Sequence, residues 1–594
     1  MSEQTVETVR LRKSLSSLDI FLISFTGMVG SGWLLGVLAG NEYAGPGIIV
    51  TWVIGGVFFM VLAIIFSELG TMFPFSGSLV RFNHYSHGPI SNFFLGWAYL
   101  IGAIATPPVE AAALTGFISS FVPGLYNSKV SLLTPLGVLV AVAILGTFTF
   151  IQYVGVNVFG KANAGMTWFK IAAIILTIIF ALSLIFHASN FFQYRGGFLP
   201  YGGSSLFAAL VPSGVVFSYE GFRQGLDYAG ETRNPKRSVP IGMLGAITAA
   251  MAVYILLQLA FTGGISWSAA GVKPGDWSAL GTSPWDANPF YYEFRSTGIP
   301  LLVGFSIVLL IASVVSSAST LGAYSGTSGR SFFGMSRLSY FPEIFGRLHP
   351  RFQTPWISIL LTFVIGIFFL LPFPSWYALV SIDASFTVYA YLAAGISNTV
   401  LRRTMGDYER PFSTPLSAVL SPIGFIVASL LVYWSGWSTI SVLLVVVSAG
   451  LPLLLFSAYG RRALGIGLYP AVTFGTTYWA ALAAVGALYF TGTIGFTYFW
   501  ALYTALEVAA YIYLRLSASS GIDAVRASLW VVIYNSGLAL VSYYGSLGTG
   551  VVGYPWDYII VALFSLAVYF IAVRTGYEPQ ELRAYRESGY LVEE

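Results

Sequence analysis

Sixteen stretches of this 594-residue chain are apolar over the length needed to cross a membrane, and that feature leaves little choice of fold. Crossing ~30 Å of hydrocarbon takes about 20 helical residues. Lipid offers no partners to backbone N–H and C=O groups, so runs this long and uniformly apolar can only be helices. They lie at about 17–40, 46–70, 90–122, 132–153, 161–187, 204–226, 239–263, 299–327, 355–372 and 374–400. Six more follow at about 418–436, 438–459, 469–491, 495–516, 527–545 and 556–573. Short Gly-rich turns divide 460–526, so the count is 14 or 16, and either even number puts both termini on one side. The chain reads as an all-α polytopic membrane protein.

Charge supports that reading. Only 9% of the residues are charged, 28 Lys+Arg and 24 Asp+Glu, against about 25% in soluble domains. With a cytoplasmic N-terminus, 22 of the 28 basic residues fall on the cytoplasmic side. Four (Lys129, Arg195, Lys273, Arg295) lie outside, and Lys170 and Arg223 fall within or beside spans. The asymmetry follows the positive-inside rule, so both termini are expected in the cytoplasm and the protein in the cell membrane. Arg10, Arg12 and Lys13 precede the first stretch, which has no small-residue cleavage site and is therefore expected to stay as a span. No basic cluster awaits phosphates, so nucleic acid is not a partner. The absence of Cys, with only four His, argues against thiolate or His-rich metal centres, and no cofactor is expected. No HExxH-type spacing points to an enzyme.

Two spans are interrupted in corresponding ways. The first contains Gly27-Met28-Val29-Gly30-Ser31-Gly32-Trp33 and the sixth Gly214-Val215-Val216-Phe217-Ser218-Tyr219-Glu220-Gly221-Phe222. Both follow Gly-(Met/Val)-Val-x-Ser, 187 residues apart. Each glycine weakens a helix by roughly 1 kcal/mol relative to alanine, and a broken helix survives in lipid only where it lines an enclosed cavity. Close helix packing through small residues would explain one such segment. A matched pair in spans 1 and 6, as inverted repeats of five spans would place them, marks a transporter binding site. Half-helix N-termini suit a carboxylate, and unwound carbonyls suit an ammonium, so the site fits a zwitterionic amino acid.

These residues carry a resemblance to a known family. Gly30-Ser31-Gly32 is followed by Ala44-Gly45-Pro46 and by Glu68-Leu69-Gly70-Thr71-Met72-Phe73-Pro74 with Ser76-Gly77. Phe217-Ser218-Tyr219-Glu220-Gly221-Phe222 leads to Gly230-Glu231-Thr232-Arg233-Asn234-Pro235-Lys236-Arg237-Ser238-Val239-Pro240, and later come Gly329-Arg330, Met335-Ser336-Arg337, Thr354-Pro355 and Arg410-Pro411-Phe412. In this order they resemble the permeases of the amino acid–polyamine–organocation (APC) superfamily over roughly residues 14–412. The resemblance implies a LeuT-type 5+5 inverted repeat with discontinuous spans 1 and 6. Residues 1–16 would be a cytoplasmic segment, 17–187 and 204–400 the two repeats, 418–573 additional C-terminal spans and 574–594 a cytoplasmic tail. The added spans are expected to pack toward lipid or toward another subunit.

The same resemblance implies site roles. The substrate carboxylate would meet N–H groups around Ser31 and Gly32, next to Gly30. The ammonium would meet carbonyls around Met28, Val29 and Phe217, Ser218 and Tyr219, with Phe217 as an aromatic gate. Glu231, Asn234, Pro235, Arg237 and Pro240 would belong to a cytoplasmic gate, though a proline-fixed helix stop reads the same way. A span 5 lysine, here Lys170, would replace the metal of sodium-coupled members, with Thr26 to Val29 and Ser316, Ser317, Ser319 and Thr320 as neighbours.

Charges inside a membrane are expensive, which makes each a functional candidate. Lys170 could instead snorkel to the surface. Glu220 and Gly221 lie in the sixth-span break, where Glu220 could shape the side-chain pocket. Glu110 reads as structurally paired, Asp383 as near the outer vestibule, Arg223 as a partner of Glu220 or Glu231, and Glu507 as interfacial. The expected function is secondary active import of amino acids by alternating access, coupled to protons rather than sodium. An exchanger and a transport-inactive sensor are the alternatives, and the short tail after Val573 argues against the sensor.

Overall fold

A computed structural model describes residues 13–75, 77–154, 156–372 and 374–588. Arg10, Arg12 and Ser76 lie outside the described residues, as do the ends of both terminal segments. Helix occupies each of the sixteen apolar stretches, and the only paired strands among the described residues form a small hairpin, Tyr126–Asn127 against Leu132–Leu133. By length and apolarity, eleven of these helices qualify on their own as membrane spans, and Ser17–Met28, Trp356–Leu370 and Ser417–Tyr433 are shorter apolar helices. The count falls below sixteen partly because broken spans yield short pieces. The first span is split into α1 (Ser17–Met28) and α2 (Gly32–Ala44), and the sixth into turns no longer than five residues. The protein is a multi-pass membrane protein.

The helices around the breaks are long, apart from the five-residue α7 that belongs to the sixth break itself. They are α3 (Ile48–Met72), α4 (His84–Ser119), α5 (Pro135–Val154), α6 (Val156–Leu184), α7 (Val215–Tyr219, in the sixth span), α8 (Pro235–Gly264), α9 (Pro300–Arg337), α10 (Trp356–Leu370), α11 (Trp376–Ala390) and α12 (Ala393–Thr404). Helix α1 starts at a capping box in which the Ser16 hydroxyl accepts from Asp19 N–H and the Asp19 carboxylate from Ser16 N–H. It packs on α8, which also packs on α3, while α9 and α11 pack on α4. Pro107 and Pro108 inside α4 have no N–H to give the preceding turn. The freed Ala103 carbonyl accepts the Ser328 hydroxyl of α9 at 2.5 Å.

The last spans turn inward as well as outward. Ser417–Tyr433 and Trp556–Thr575 pack against α12, and Gly436–Ser448 against α11. Trp530 donates to Ser91 Oγ in α4, Tyr389 of α11 to Asn535, and Arg403 of α12 to the carbonyls of Val573 and Gly576. Glu507 is buried, accepting from the Tyr478 hydroxyl at 2.6 Å, instead of lying at an interface. The C-terminal helices therefore brace the frame around α4, α11 and α12, a role not anticipated from their apolar composition.

Candidate substrate site at two broken helices

The two breaks touch backbone to backbone. A β-carbon built on Gly221 would lie 2.1 Å from Met28 N and 2.2 Å from Gly27 C, so only glycine permits this approach. Gly32 faces the other break similarly, its added carbon falling 2.1 Å from Ser218 Oγ. Gly214 opens α7 with φ +83°, a left-handed conformation that side chains disfavour. Gly27, Gly32 and Gly221 thus mark the line of contact of the two spans, whereas Gly214 faces Trp376.

Breaking a helix orphans its polar groups, and each is met by a side chain from another span. Ser31 N–H, at the start of α2, donates to both Glu110 carboxylate oxygens at 3.1 Å. An anion at a helix N-terminus satisfies the free donors and the helix dipole together. At the end of α1, Lys170 Nζ donates to Val29 O at 2.7 Å, Thr26 O at 3.1 Å and Ser319 Oγ at 3.3 Å. Lys170 is fully buried and does not snorkel. Ser316 Oγ donates to the Val29 and Gly30 carbonyls at 3.0 Å and accepts from Trp33 Nε1, while Thr320 Oγ1 donates to Thr26 O. Ser317 lies beside Glu110. The structure thus brings Lys170, the α1 carbonyls and the α9 hydroxyls into one nest.

Two residues of this assembly went unremarked in the sequence. Tyr254 of α8 bridges the breaks, its hydroxyl lying 2.7 Å from Met28 O and 3.0 Å from Ser218 O. Its signal was present, since Tyr254, Gln258 and Thr262 repeat every four residues and make a polar stripe on an apolar helix. Trp376 of α11 donates to Ser31 Oγ at 2.7 Å and meets the Phe217 ring edge-on at 6.2 Å. No local pattern announces it. Phe217 and Trp376 together cover the break, and none of Met28, Val29, Ser31, Ser218, Tyr219 or Phe217 is more than 6% exposed.

Arg223 is fully buried and sits 4.0 Å from Glu220, while Glu231 pairs instead with Arg330 at 3.2 Å. Asp383 is near Arg223 and Glu220 in the protein core, accepting from Thr106 Oγ1 at 3.0 Å, and not in an outer vestibule. Around Glu231 the segment Ser14–Ser17 is pinned down. Ser14 and Leu15 N–H donate to Glu231 O, Arg233 N–H to Leu15 O, and the hydroxyls of Ser17 and Ser238 are 2.9 Å apart. Arg330 also lies over the Tyr228 ring. Asn234 precedes α8, which opens on Pro235. Arg237 and Pro240 line a surface hollow with Pro411 and Phe412, away from the breaks.

The connection between α8 and α9 forms a second clasp. Asp286 accepts hydroxyls from Ser131, Tyr126 and Tyr377, joining the hairpin to the residue next to Trp376. On α3, the motif carboxylate Glu68 is buried and takes Arg402 at 2.6 Å, Arg410 at 3.0 Å and Thr414 N–H at 2.8 Å. Among the described residues no group of three or more His, Cys, Asp or Glu is placed to hold a metal ion.

Interrupted apolar helices meeting around a buried carboxylate and a buried amine define a membrane transport protein. The chain belongs to the amino acid permease family, whose sequence pattern matches residues 19–448. The family is one of transporters rather than enzymes. The chain is similar to the glutamate/serine transporter AimA of Bacillus subtilis (strain 168), 31% identical over 97% of this chain and 96% of that protein. It is similar also to the aspartate-proton symporter of the same organism, at 29% identity over 95% of this chain and 97% of the relative. The branched-chain amino acid permease BcaP, again of B. subtilis, is 24% identical over 76% of this chain and 94% of its own length. The first two thus match nearly the whole chain and BcaP about three quarters of it.

Proposed function

We propose that this permease is a secondary active importer of amino acids in the cytoplasmic membrane, working by alternating access and driven by protons. In this reading 17–187 and 204–400 are the halves of a LeuT-type inverted repeat, 418–573 are bracing spans, and both termini are cytoplasmic. The observation that carries it is the carboxylate already seated on the first break. Glu110 makes with Ser31 N–H the bonds that a substrate α-carboxylate would make on displacing it. The substrate ammonium would then take the Met28 and Ser218 carbonyls that Tyr254 holds in the closed state. Gly30, Gly32 and Gly221 leave room for that approach, Phe217 closes over it, and Tyr219 and Glu220 border it.

Proton coupling rests on Lys170. Its ammonium fills the carbonyl and hydroxyl nest that a bound sodium ion would require. Opening the nest to water on one side at a time would let a proton enter from one face and leave to the other. A relative named as a proton symporter supports this choice. The Glu231–Arg330 pair and the pinned segment Ser14–Ser17 serve as the inner gate.

The test is uptake of a labelled amino-acid panel by purified protein in liposomes, with proton and sodium gradients imposed separately. Accumulation driven by the proton gradient alone is the expected result. Uptake only against a trapped internal amino acid would make the protein an exchanger. No uptake of any amino acid under any condition would overturn the proposal.

A further inference from the structure

Arg223 ends the turn Glu220–Arg223 and is wholly buried. Its guanidinium donates to Thr387 Oγ1 at 2.8 Å and Thr106 Oγ1 at 3.2 Å, and lies 5.1 Å from the ring centres of both Tyr99 and Tyr324. Its Nε has no partner. The nearest carboxylate, that of Glu220, is 4.0 Å from Nη1, and both Glu220 oxygens lack hydrogen bonds. Asp383 lies beside Glu220 and near Arg223, and its Oδ1 accepts from Thr106.

That arrangement differs from how this chain secures a structural arginine. At Glu68 one carboxylate takes two guanidinium groups at 2.6–3.0 Å. Arg223 rests on neutral hydroxyls and aromatic faces, although a buried guanidinium binds a carboxylate far better, through two parallel bonds. Two carboxylates stand near its planar fork, that of Glu220 at 4.0 Å, and neither takes the short parallel bonds that a guanidinium can give an anion.

Distance connects this fork to the first break. Thr106, which touches Arg223, and Glu110, which touches Ser31 N–H, are four residues apart on one face of α4, a rise of about 6 Å. The two carboxyl groups of aspartate or glutamate are separated by three or four carbon–carbon bonds of about 1.5 Å each. One end on Ser31 N–H places the other within reach of Arg223.

We propose that Arg223 is the subsite for the side-chain carboxylate of an acidic amino acid, which makes dicarboxylic amino acids the preferred substrates. The assignment rests on the reading that Ser31 N–H receives the α-carboxylate. Thr106 and Thr387 orient the fork. Glu220 and Asp383 hold counter-charge nearby without occupying its donors.

The experiment is competition by unlabelled aspartate, glutamate, serine and leucine against labelled amino-acid uptake in liposomes. It is run on wild type, Arg223→Gln and Thr387→Val. In wild type the acidic pair is expected to compete best. Arg223→Gln is expected to weaken acidic competition by about tenfold or more, the scale of a lost charged hydrogen bond, and to leave serine competition within about twofold. Thr387→Val should weaken acidic competition in the same direction and by less. If Arg223→Gln does not fold, wild type and Thr387→Val decide. Neutral amino acids competing in wild type while acidic ones do not would overturn the assignment and leave the import reading standing. Acidic competition unchanged in Arg223→Gln would also overturn it, whereas uptake of no amino acid by wild type would remove both readings.

Discussion

Replacing Gly221 with alanine puts one methyl group into the line where the two broken helices meet. On the existing backbone that carbon falls 2.1 Å from Met28 N and 2.2 Å from Gly27 C. Comfortable contacts between such atoms are about 3.5–4.0 Å, so the sixth span must retreat from the first by more than about 1 Å. Both neighbours are main chain, and no side chain can rotate to make room. Overpacking a close-packed interior costs about 1–3 kcal/mol, and the backbone partners here place the effect at the top of that range. The retreat also pulls on the Tyr254 hydroxyl, which spans 2.7 and 3.0 Å to the two breaks. Gly304→Ala is the control, because Gly304 is exposed on α9 with nothing within 4 Å of the added carbon. It should be neutral, or stabilising by up to about 1 kcal/mol through helix propensity. Thermal unfolding in detergent followed by tryptophan fluorescence, beside uptake in liposomes, reads both variants. Gly221→Ala should unfold at lower temperature and transport nothing, with Gly304→Ala matching wild type or better. Wild-type behaviour of Gly221→Ala in both assays would refute the backbone contact between the breaks.

Three further outcomes are expected. Gly32→Val should abolish substrate binding, measured by ligand-induced thermal stabilisation, because its first side-chain carbon would overlap Ser218 Oγ; wild-type affinity would contradict the site's position. Tyr254→Phe leaves the Met28 and Ser218 carbonyls without their shared donor in the closed state, and should lower stability by about 1–3 kcal/mol in denaturant titrations. Glu68→Gln removes the charge facing Arg402 and Arg410, and should destabilise by about 3–5 kcal/mol, less whatever the partial exposure of the two arginines restores; expression level and unfolding temperature would register it.

Much of this architecture was legible because the membrane constrains it. Apolar runs of span length had to become helices, and glycines that break them had to lie against other backbone or a cavity. The neighbours of Lys170 came from the resemblance to the APC permeases, and the carbonyls of the first span and a hydroxyl of the eighth do surround its ammonium. What escaped were the groups that reach the breaks from elsewhere. Glu110 comes from α4 and Trp376 from α11, and neither position carries a local pattern that says which orphaned N–H or hydroxyl it will meet. Asp383 was placed near a vestibule because distance along a span was the sole guide, whereas Thr106 holds it in the core. Glu507 read as interfacial for want of a visible partner, and Tyr478 supplies one. The C-terminal spans read as packing toward lipid or toward another subunit, and composition does not show that they also pack on α4, α11 and α12.

Whether Lys170 carries the coupling proton is read from accumulation under an imposed pH gradient. Purified wild type and Lys170→Ala are compared in liposomes that are acidic outside, with no internal amino acid and no sodium. A counterflow assay on the same vesicles establishes that the variant still binds and turns over substrate. Wild type is expected to concentrate amino acid above equilibrium. Lys170→Ala is expected to lose that accumulation while keeping counterflow. Full gradient-driven accumulation in Lys170→Ala, or strict sodium dependence in wild type, would contradict the claim.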